Sequence, residues 1–421
     1  MRTLGQPVAV AAARALLAAG MPHAVLLSGP SGVGKTTLAL DIAAALLCGA
    51  EEPAARPCRS CRACRMVEHA NHPDLHRLAP SGPGGSISIG GRDERGVRDL
   101  IADLALLPVE GGARVALIES ADRMSEDGQS AFLKTLEEPP SRTTILLCAD
   151  DEERLLPTIR SRCARIRLGP MGSRGVEAVL QSGVLADAPT AARLARITDG
   201  RPGRAIAYAL APEAAAIRAE IARTLLDLLG AGVTARLTGT RELALRAADL
   251  VRALDAGAAR AARAEAAAGP GGTAPSRRTG GARKGTGVVA APDPAALEAA
   301  GAVAADGDDA VAGWPAARVP AAERRRGALA LVAIWRSVLR DVALLGHGAA
   351  ASVRDLDLLD DLEAAAARLA PATAARLLGA LDLAGEQLEG NVSPELVLDV
   401  LALHWTTGEP SGARRAAGAV P

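Results

Sequence analysis

A glycine-rich loop near the N-terminus restricts the folds open to this chain more than any other feature. Residues 29–36 read GPSGVGKT, with an apolar run, Ala24–Ser28, before the loop and a helix-like segment after it. The pattern G-x-x-x-x-G-K-[ST] between a strand and a helix is typical of a phosphate-binding loop, in which backbone N–H groups and a helix N-terminus surround phosphate oxygens. The loop therefore predicts an α/β domain with a nucleotide site.

Individual residues of this loop have separate expected roles. Lys35 is expected to reach the β- and γ-phosphates and Thr36 to hold Mg²⁺, so the site would take ATP with Mg²⁺. The chain has 48 basic residues, but lysine occurs at positions 35, 134 and 284 alone. A guanidinium is too broad for such a loop, which explains why a compact ammonium is retained there. The loop residues predicted to bind nucleotide are Gly29, Gly32, Gly34, Lys35, Thr36 and Thr37.

Hydrolysis of a nucleotide needs more than this loop, because phosphoryl transfer also uses an acid on a second strand and a group that orients water. The candidate strand runs from Val115 to Glu119. Glu119 is expected to take part in the coordination shell of the nucleotide's metal ion, whereas Ser120 has no carboxylate to orient water. Asp122 is interpreted as a solvated turn acid. We therefore expect weak or absent ATPase activity in the isolated chain.

Four closely spaced cysteines predict a structural metal site. They are Cys48, Cys58, Cys61 and Cys64. Two-residue spacings let neighbouring thiolates approach one tetrahedral Zn²⁺, and four thiolates leave no position for a catalytic water. Four unrelated reduced thiols are the alternative, and three nearby histidines are alternative ligands: His69, His72 and His76. Cys148 and Cys163 lie in or beside predicted strands, so we interpret both as small buried residues.

Short apolar runs separated by helical or loop segments predict a parallel sheet over residues 1–170. The predicted strands are 24–28, 74–78, 115–119, 144–148 and 163–168. Residues 171–235 are expected to form short helices, and 236–421 to be helical. Within the last part, 257–325 is poor in large apolar side chains and predicts a disordered insert.

Composition argues against a chain that grips DNA alone. Lys+Arg and Asp+Glu both number 48, so the formal net charge is zero, and aromatic residues make up 1% of the chain. Surfaces that hold duplex DNA usually carry excess positive charge, and single-strand binders stack bases on aromatic rings. The N-terminus lacks a signal-peptide pattern and no stretch approaches about 20 apolar residues, so we expect a cytoplasmic protein with no membrane contact.

Six segments occur in an order that resembles a known family. They are HAVLLSGPSGVGKTTLALDIAAALLC (23–48), the four-cysteine cluster, HPDLH (72–76), FLKTLEEPP (132–140), LLPTIRSRC (155–163) and NVSPELVLDVLAL (391–403). Together they resemble the bacterial DNA polymerase III clamp-loader subunits of the AAA+ class. The motifs are dense over 1–170 and sparse beyond it, where GRPGR (200–204) is one of them.

The resemblance implies a fold of three domains and an assembly. The domains would be a P-loop AAA+ domain (1–170) with a zinc-binding insert (48–64), a small helical lid (171–235) and an all-α collar (236–421). The chain would be a component of the DNA polymerase III holoenzyme, without a polymerase site of its own. It would share a hetero-pentameric ring with tau/gamma motor and delta subunits, and the ring would load the sliding clamp on primed DNA.

The chain resembles two branches of this family. The tau/gamma motor carries Asp-Glu-Val-His on its acid-bearing strand, whereas the stretch Glu119-Ser120-Ala121-Asp122 resembles the delta-prime subunit. Family members tend to have a sensor threonine after the fourth strand, where this chain has Cys148-Ala149-Asp150, and this also argues against hydrolysis.

The delta-prime resemblance gives two arginines an expected role. Arg162, in the Ser-Arg-Cys motif, would project into a neighbour's ATP site as an arginine finger. Arg204 would be the lid arginine near the phosphates of this chain's own site. Without the family, a surface ion pair is the better interpretation of Arg162, and a solvated charge at a helix start is an equal alternative for Arg204.

Three other functions remain open: an active tau/gamma-like ATPase, a small-molecule P-loop kinase and a zinc-ribbon nucleic-acid module. The helical C-terminal third and the cysteine cluster argue against the kinase, because neither supplies an acceptor pocket. Arg59, Arg62 and Arg65 flank the cysteines as a nucleic-acid module would require, but no aromatic residue accompanies them.

Overall fold

A five-stranded parallel sheet organises the N-terminal part of the chain. The computed structural model describes residues 1–81, 85–90, 95–110, 112–267, 319–390 and 392–405. The strands are β1 (Ala24–Ser28), β2 (Leu75–Leu78), β3 (Arg114–Ile118), β4 (Thr143–Ala149) and β5 (Ala164–Arg167). They lie in the order β2-β3-β4-β1-β5, and every neighbouring pair is parallel. The predicted parallel sheet is therefore confirmed, with strand ends that differ by at most one residue.

Strand β1 lies in the middle of the core and is buried on both faces. Val25 and Leu27 point into one apolar cluster, which includes helices on that side of the sheet. Ala24 and Leu26 point into a second cluster on the other side. Successive side chains of a strand alternate between faces, so a strand covered on both faces must be apolar throughout. This burial explains why the strands appear in the amino-acid sequence as continuous apolar runs.

Helices cover the sheet and form the rest of the described chain. Those up to residue 160 are α1 (Pro7–Ala19), α2 (Lys35–Leu46), α3 (Arg62–Glu68), α4 (Val97–Ala105), α5 (Glu126–Glu137) and α6 (Pro157–Arg160). The next are α7 (Ser173–Ser182), α8 (Ala188–Ile197), α9 (Pro202–Leu210), α10 (Pro212–Leu228) and α11 (Val233–Ala267). The last are α12 (Ala321–Gly346), α13 (Leu359–Arg368), α14 (Pro371–Glu389) and α15 (Pro394–His404). The predicted α/β domain followed by an all-helical remainder is confirmed.

The predicted disordered insert, 257–325, is wrong at both ends. Helix α11 continues to Ala267 and α12 begins at Ala321, while residues 268–318 lie outside the described part of the chain. The small side chains at the start of the segment serve close helix packing. A Cβ on Gly257 would lie 2.3 Å from the carbonyl oxygen of Ala207 in α9, so the two helices touch through their backbones. Alanine and arginine around this contact are strong helix formers.

The C-terminal helices share a buried apolar face and a buried ion pair. Trp335 of α12 contacts Trp405, with ring centroids 4.0 Å apart. Helix α10 packs against α11 and α12. Its Arg218 pairs with Asp355, which precedes α13, and both side chains are buried. These contacts tie α10 to the C-terminal helices, and the division into domains at 170 and 235 stays a prediction.

Within the described ranges, every helix is too short or too polar to cross a bilayer.

Candidate functional site

The glycine-rich loop connects the end of β1 to the start of α2, and its glycines adopt backbone angles that other residues avoid. Gly34 has φ of 102° and immediately precedes Lys35, the first residue of α2. Gly29 has φ of 145°, and a Cβ there would lie 2.0 Å from the carbonyl oxygen of Leu168. A side chain at position 29 would therefore displace the segment that follows β5. The loop therefore joins a strand to the N-terminus of a helix through glycines at positive φ, and its binding of phosphate stays a prediction.

The ammonium of Lys35 lies inside the loop and is almost fully buried, with 7% of its surface exposed. Its Nζ donates to the carbonyl oxygens of Gly29 at 2.6 Å and Pro30 at 2.9 Å, and to Oδ1 of Asp150 at 2.7 Å. An ammonium has three N–H donors, and these acceptors match that number. A phosphate oxygen that binds Lys35 must therefore replace one of these acceptors.

Asp150 begins the turn after β4 and is itself held by a second carboxylate. Its backbone N–H donates to Oδ1 of Asp122 at 3.1 Å. Burial raises the pKa of Asp122, with the nearby Asp150 charge acting in the same direction. The interpretation of Asp122 as a solvated turn acid is therefore wrong. It closes the end of β4, because β3 and β4 are neighbours and their carboxyl ends meet at one edge of the sheet.

Glu119 follows β3 at the same edge of the sheet, but its carboxylate is occupied by a cation. Arg77 of β2 donates to Oε1 of Glu119 through Nε at 3.1 Å and also through Nη2. On the other side of the site, Cys148 of β4 lies beside Thr36, and burial raises the pKa of its thiol to about 12. Both bonds from Arg77 go to Oε1, so a Mg²⁺ ion held by Thr36 and Glu119 would share this carboxylate with Arg77.

Helix α9 begins directly against the phosphate loop. The backbone N–H of Gly203 donates to the carbonyl oxygen of Gly32 at 2.9 Å. Gly32 has φ of 80°, and a Cβ on it would lie 3.3 Å from the backbone nitrogen of Arg204. The guanidinium of Arg204 stacks over Tyr208, 6.0 Å from the ring centroid. Arg204 is thus carried on a helix whose first turn touches the loop.

A cavity of about 860 Å³ opens beside the loop, between the sheet domain and the helices that follow it. It extends from Gly34 and Thr37 to helices α7 and α9. Its polar wall is formed by Thr3, Asp41, Arg59 and Glu68. The sequence analysis assigned Thr37 to the nucleotide site but did not place these four polar residues there, because they come from separate segments of the chain.

The four cysteines predicted to bind metal come together at the far end of α2. Cys48 lies two residues beyond the helix, Cys58 and Cys61 lie in the following loop, and Cys64 is in α3. All four Sγ atoms lie within 4.8 Å of one another, and those of Cys48 and Cys61 are 4.0 Å apart. Tetrahedral Zn²⁺, with Zn–S bonds of about 2.3 Å, places its sulfurs about 3.8 Å apart. The donor set therefore fits a metal ion such as zinc.

Backbone N–H groups surround these sulfurs, as expected of thiolates. Cys48 Sγ accepts from the N–H of Cys58, Cys58 Sγ from that of Cys61, and Cys61 Sγ from that of Cys64, each at 3.4 Å. A hydrogen bond from the hydroxyl of Ser60, followed by backbone N–H groups, lowers the pKa of Cys58 to about 6. Burial raises the pKa of Cys64.

The three neighbouring histidines are not part of this cluster. In the described residues, the group that could hold a metal here consists of the four cysteines. His72 is buried, and its Nδ1 accepts the backbone N–H of Asp74 at 3.1 Å. His76 lies 3.6 Å from Asp103. Together with the backbone N–H of Val109, which donates to Oδ1 of Asp74 at 2.6 Å, these contacts hold β2 against α4 and the 106–110 loop.

Arg162 lies just after α6, on the surface, with 35% of its side chain exposed. It donates to Oε1 of Glu137 at 2.6 Å and to the carbonyl oxygen of Thr158 at 2.9 Å. A guanidinium has five N–H donors in a planar fork, so these two bonds orient it and leave others directed elsewhere. Arg162 precedes β5 and Lys35 follows the neighbouring parallel strand β1, so the two residues belong to opposite ends of this strand pair.

The N-terminal part of the chain matches proteins of bacterial DNA replication. Residues 6–172 match the sequence model of the family described as "DNA polymerase III, delta subunit". DNA polymerase III subunit delta' of Pseudomonas aeruginosa is 40% identical over 144 residues, which cover 34% of this chain and 42% of that protein. The subunit delta' of Bacillus subtilis is 32% identical over 157 residues, or 37% and 45% of the two chains.

Gamma/tau subunits of DNA polymerase III also match. The gamma/tau subunit of Mycobacterium tuberculosis is 32% identical over 200 residues, which cover 45% of this chain and 32% of that protein. This chain thus spans about half or less of the length of these relatives. A solved gamma subunit-related protein of Thermotoga maritima covers 94% of this chain at 13% identity, with a TM-score of 0.32. The predicted resemblance to DNA polymerase III delta-prime and tau/gamma subunits is confirmed for the N-terminal part.

Thiol reactivity should separate the six cysteines by their surroundings. In metal-free protein at pH 7, a disulfide reagent such as DTNB should react first with Cys58, because its pKa of about 6 keeps it largely as thiolate. The rate should fall as the pH drops through 6, where the thiolate is protonated. Cys148 and Cys163, whose pKa values burial raises to about 12 and about 11, should react only on unfolding. A fast phase that persists in Cys58→Ser would contradict this order, and Cys163→Ser is the control.

Proposed function

We propose that this chain is a clamp-loader subunit of DNA polymerase III, of the delta-prime kind. It would work in the cytoplasm in a hetero-pentameric ring with tau/gamma motor subunits and a delta subunit, and would help place the sliding clamp on primed DNA. The observation that carries the proposal is the match of residues 6–172, which include the phosphate loop, the cysteine cluster and Arg162, to the family described as "DNA polymerase III, delta subunit". The 40% identity to a delta' subunit over 144 residues supports the delta-prime branch. The zero net charge supports a component of a shared DNA-binding assembly.

The phosphate loop would hold ATP with Mg²⁺ but turn it over slowly. Lys35 would contact the β- and γ-phosphates once it released an acceptor, and Thr36 would contact Mg²⁺. The adjacent cavity of about 860 Å³ is large enough for the base and ribose. Glu119 is paired with Arg77, and Ser120 offers no carboxylate to orient water, so the groups that promote hydrolysis are poorly supplied.

The cysteine cluster would hold one structural Zn²⁺. Four sulfurs within 4.8 Å of one another fill a tetrahedral shell, so the ion would fix the 48–64 insert and would not take part in catalysis. The buried thiol of Cys64 and the end of α2 at Cys48 would attach the insert to the sheet domain.

Arg162 would act on a neighbouring subunit's nucleotide. A guanidinium offered across an interface neutralises charge that develops on the γ-phosphate during transfer. The partly exposed position of Arg162 and its orientation by Glu137 support this role.

An active tau/gamma-like ATPase is the second candidate, since the loop keeps both Lys35 and Thr36. Rapid phosphate release by the isolated chain, abolished in Lys35→Ala, would favour it over the delta-prime role.

Metal analysis tests the zinc site. Protein purified without chelators should contain about one zinc per chain, because four thiolates complete one tetrahedral shell. Cys61→Ser should lose the metal and melt at a lower temperature, since metal binding contributes to folding. The control Cys163→Ser should keep its zinc. Zinc-free native protein, or a Cys61→Ser variant with a full complement of metal, would exclude the site.

Binding of a fluorescent, non-hydrolysable ATP analogue tests the phosphate loop. Lys35→Ala should weaken binding at least about tenfold, since a charge-assisted bond is worth roughly 1.5–3 kcal/mol. Asp150→Asn should strengthen it about three- to tenfold, because it removes an anion that competes with phosphate for Lys35. The control is Asp151→Asn, whose carboxylate is exposed and lies 3.9 Å from Arg154. Unchanged or weaker binding in Asp150→Asn would show that the Lys35–Asp150 pair does not limit access.

The activity of the reconstituted complex tests Arg162. Arg162→Ala should assemble normally and lower the DNA-stimulated ATPase, with the affected site slowed about tenfold or more, as for other arginine fingers. Arg165→Ala, which removes an exposed arginine from β5, is the matched control. If assembly is intact and the ATPase of Arg162→Ala equals that of Arg165→Ala, the role across the interface is wrong.

A further inference from the structure

Arg59 lies inside the cysteine cluster, yet its side chain belongs to the wall of the cavity beside the phosphate loop. It sits in the turn between Cys58 and Cys61, with φ of 62°. A positive φ is uncommon for a residue with a side chain and is retained where its surroundings determine it. Here the backbone on either side is tied to sulfur, since the N–H groups of Cys58 and Cys61 donate to Cys48 Sγ and Cys58 Sγ. The turn therefore aims Arg59 away from the cluster.

The guanidinium of Arg59 bridges two buried carboxylates from two helices. It pairs with Oδ1 of Asp41 in α2 and with Oε1 of Glu68 in α3 at 3.2 Å. Asp41 is 1% exposed, and the side chain of Glu68 is 5% exposed. Two buried carboxylates this close repel each other unless a cation lies between them. Arg2 also reaches Glu68, at 3.3 Å, but its side chain is half exposed.

Asp41 in turn holds the N-terminal segment that forms the adjacent wall of the cavity. Its Oδ1 accepts the backbone N–H of Arg2 at 2.9 Å, and its Oδ2 accepts both the N–H of Thr3 at 2.9 Å and its hydroxyl at 2.8 Å. Asp41 lies six residues beyond Lys35 on the helix that starts at the phosphate loop. One side chain thus joins the cysteine turn, the loop helix and the N-terminus.

We infer that Arg59 is a positioning residue that couples the metal site to the nucleotide cavity. Metal bound by the four sulfurs fixes the turn, the turn keeps Arg59 between Asp41 and Glu68, and these carboxylates keep the Arg2–Thr3 wall closed and neutralised. Loss of metal frees Arg59 and removes the cation between Asp41 and Glu68, so that only the half-exposed Arg2 remains beside Glu68 and the site for an anionic ligand becomes more negative. This inference rests on the proposed binding of ATP and Zn²⁺.

The metal-loaded full chain allows a direct comparison of two arginines from the same insert. Arg59→Ala removes the bridge, whereas Arg62→Ala removes an exposed cation whose partner is Glu110, on a different part of the surface. With a fluorescent ATP analogue as the probe, Arg59→Ala should bind about 5- to 50-fold more weakly than wild type, and Arg62→Ala within about twofold of it, the range typical of coupled sites. Equal affinities in the two variants would overturn the inference.

A second measurement follows the coupling from the metal side. Zinc transfer to a chelating dye should be several-fold slower when the ATP analogue saturates wild type or Arg62→Ala, because a closed wall holds the turn. For Arg59→Ala, the analogue is added at a higher concentration so that it saturates this weaker-binding variant. The rate of zinc transfer from this variant should be the same with and without the analogue. An effect of equal size in Arg59→Ala would show that the two sites communicate by another route, and the inference would be wrong.

A third measurement separates failure of this inference from failure of the proposed function. Selective ¹⁵N-threonine labelling and NMR hydrogen exchange report the Thr3 amide without any nucleotide. Its exchange should be several-fold faster in Arg59→Ala than in Arg62→Ala. If wild type binds no ATP analogue but this difference is found, the nucleotide proposal fails and the positioning role of Arg59 stands. If the Thr3 amide exchanges equally in both variants, Arg59 does not position the wall.

Discussion

Burial of helix α2 against the sheet is the constraint on which both candidate sites depend. Its 12 residues extend over about 18 Å, with Lys35 at the N-terminus and Cys48 just beyond the C-terminus. Leu38 and Ile42 of this helix are fully buried in the cluster that includes Val25 and Leu27 of β1. The helix therefore cannot shift without disturbing the middle of the core. Helix α2 thus fixes the distance between the phosphate loop and the cysteine cluster, and it carries Asp41 between them.

Sequence reasoning succeeded where one segment or one motif sets the outcome. The strands were readable because a parallel sheet covered on both faces requires continuous apolar runs, and the burial of Ala24–Ser28 meets that requirement. The four cysteines and the loop around Lys35 were found because metal and phosphate chemistry fix residue types at short spacings. These features need no knowledge of how distant segments meet.

The features that sequence reasoning missed all depend on distant contacts. Asp150 meets Lys35 across 115 residues, and Arg59 meets Asp41 across 18 residues. No spacing pattern marks such pairs, since arginine and aspartate are common throughout the chain. The helical ends of the predicted insert were missed for a related reason. Composition suggested too little apolar bulk for a core at Gly257, but small residues there allow α9 and α11 to approach closely.

The acids around the phosphate loop are held by cations of the same chain, and this shapes how the site can work. Asp150 pairs with Lys35, Glu119 with Arg77, and Asp41 with Arg59. An anionic nucleotide adds negative charge beside cations that are already paired with acids of this chain. Each contact that the nucleotide gains with Lys35 therefore displaces an internal partner of Lys35. Binding affinity is then the difference between two sets of charge-assisted bonds. The slow hydrolysis that we propose fits the same arrangement, because the carboxylate of Glu119 already accepts hydrogen bonds from Arg77. This arrangement supports the proposed subunit that retains nucleotide, while the partly exposed Arg162 would act on a neighbouring subunit.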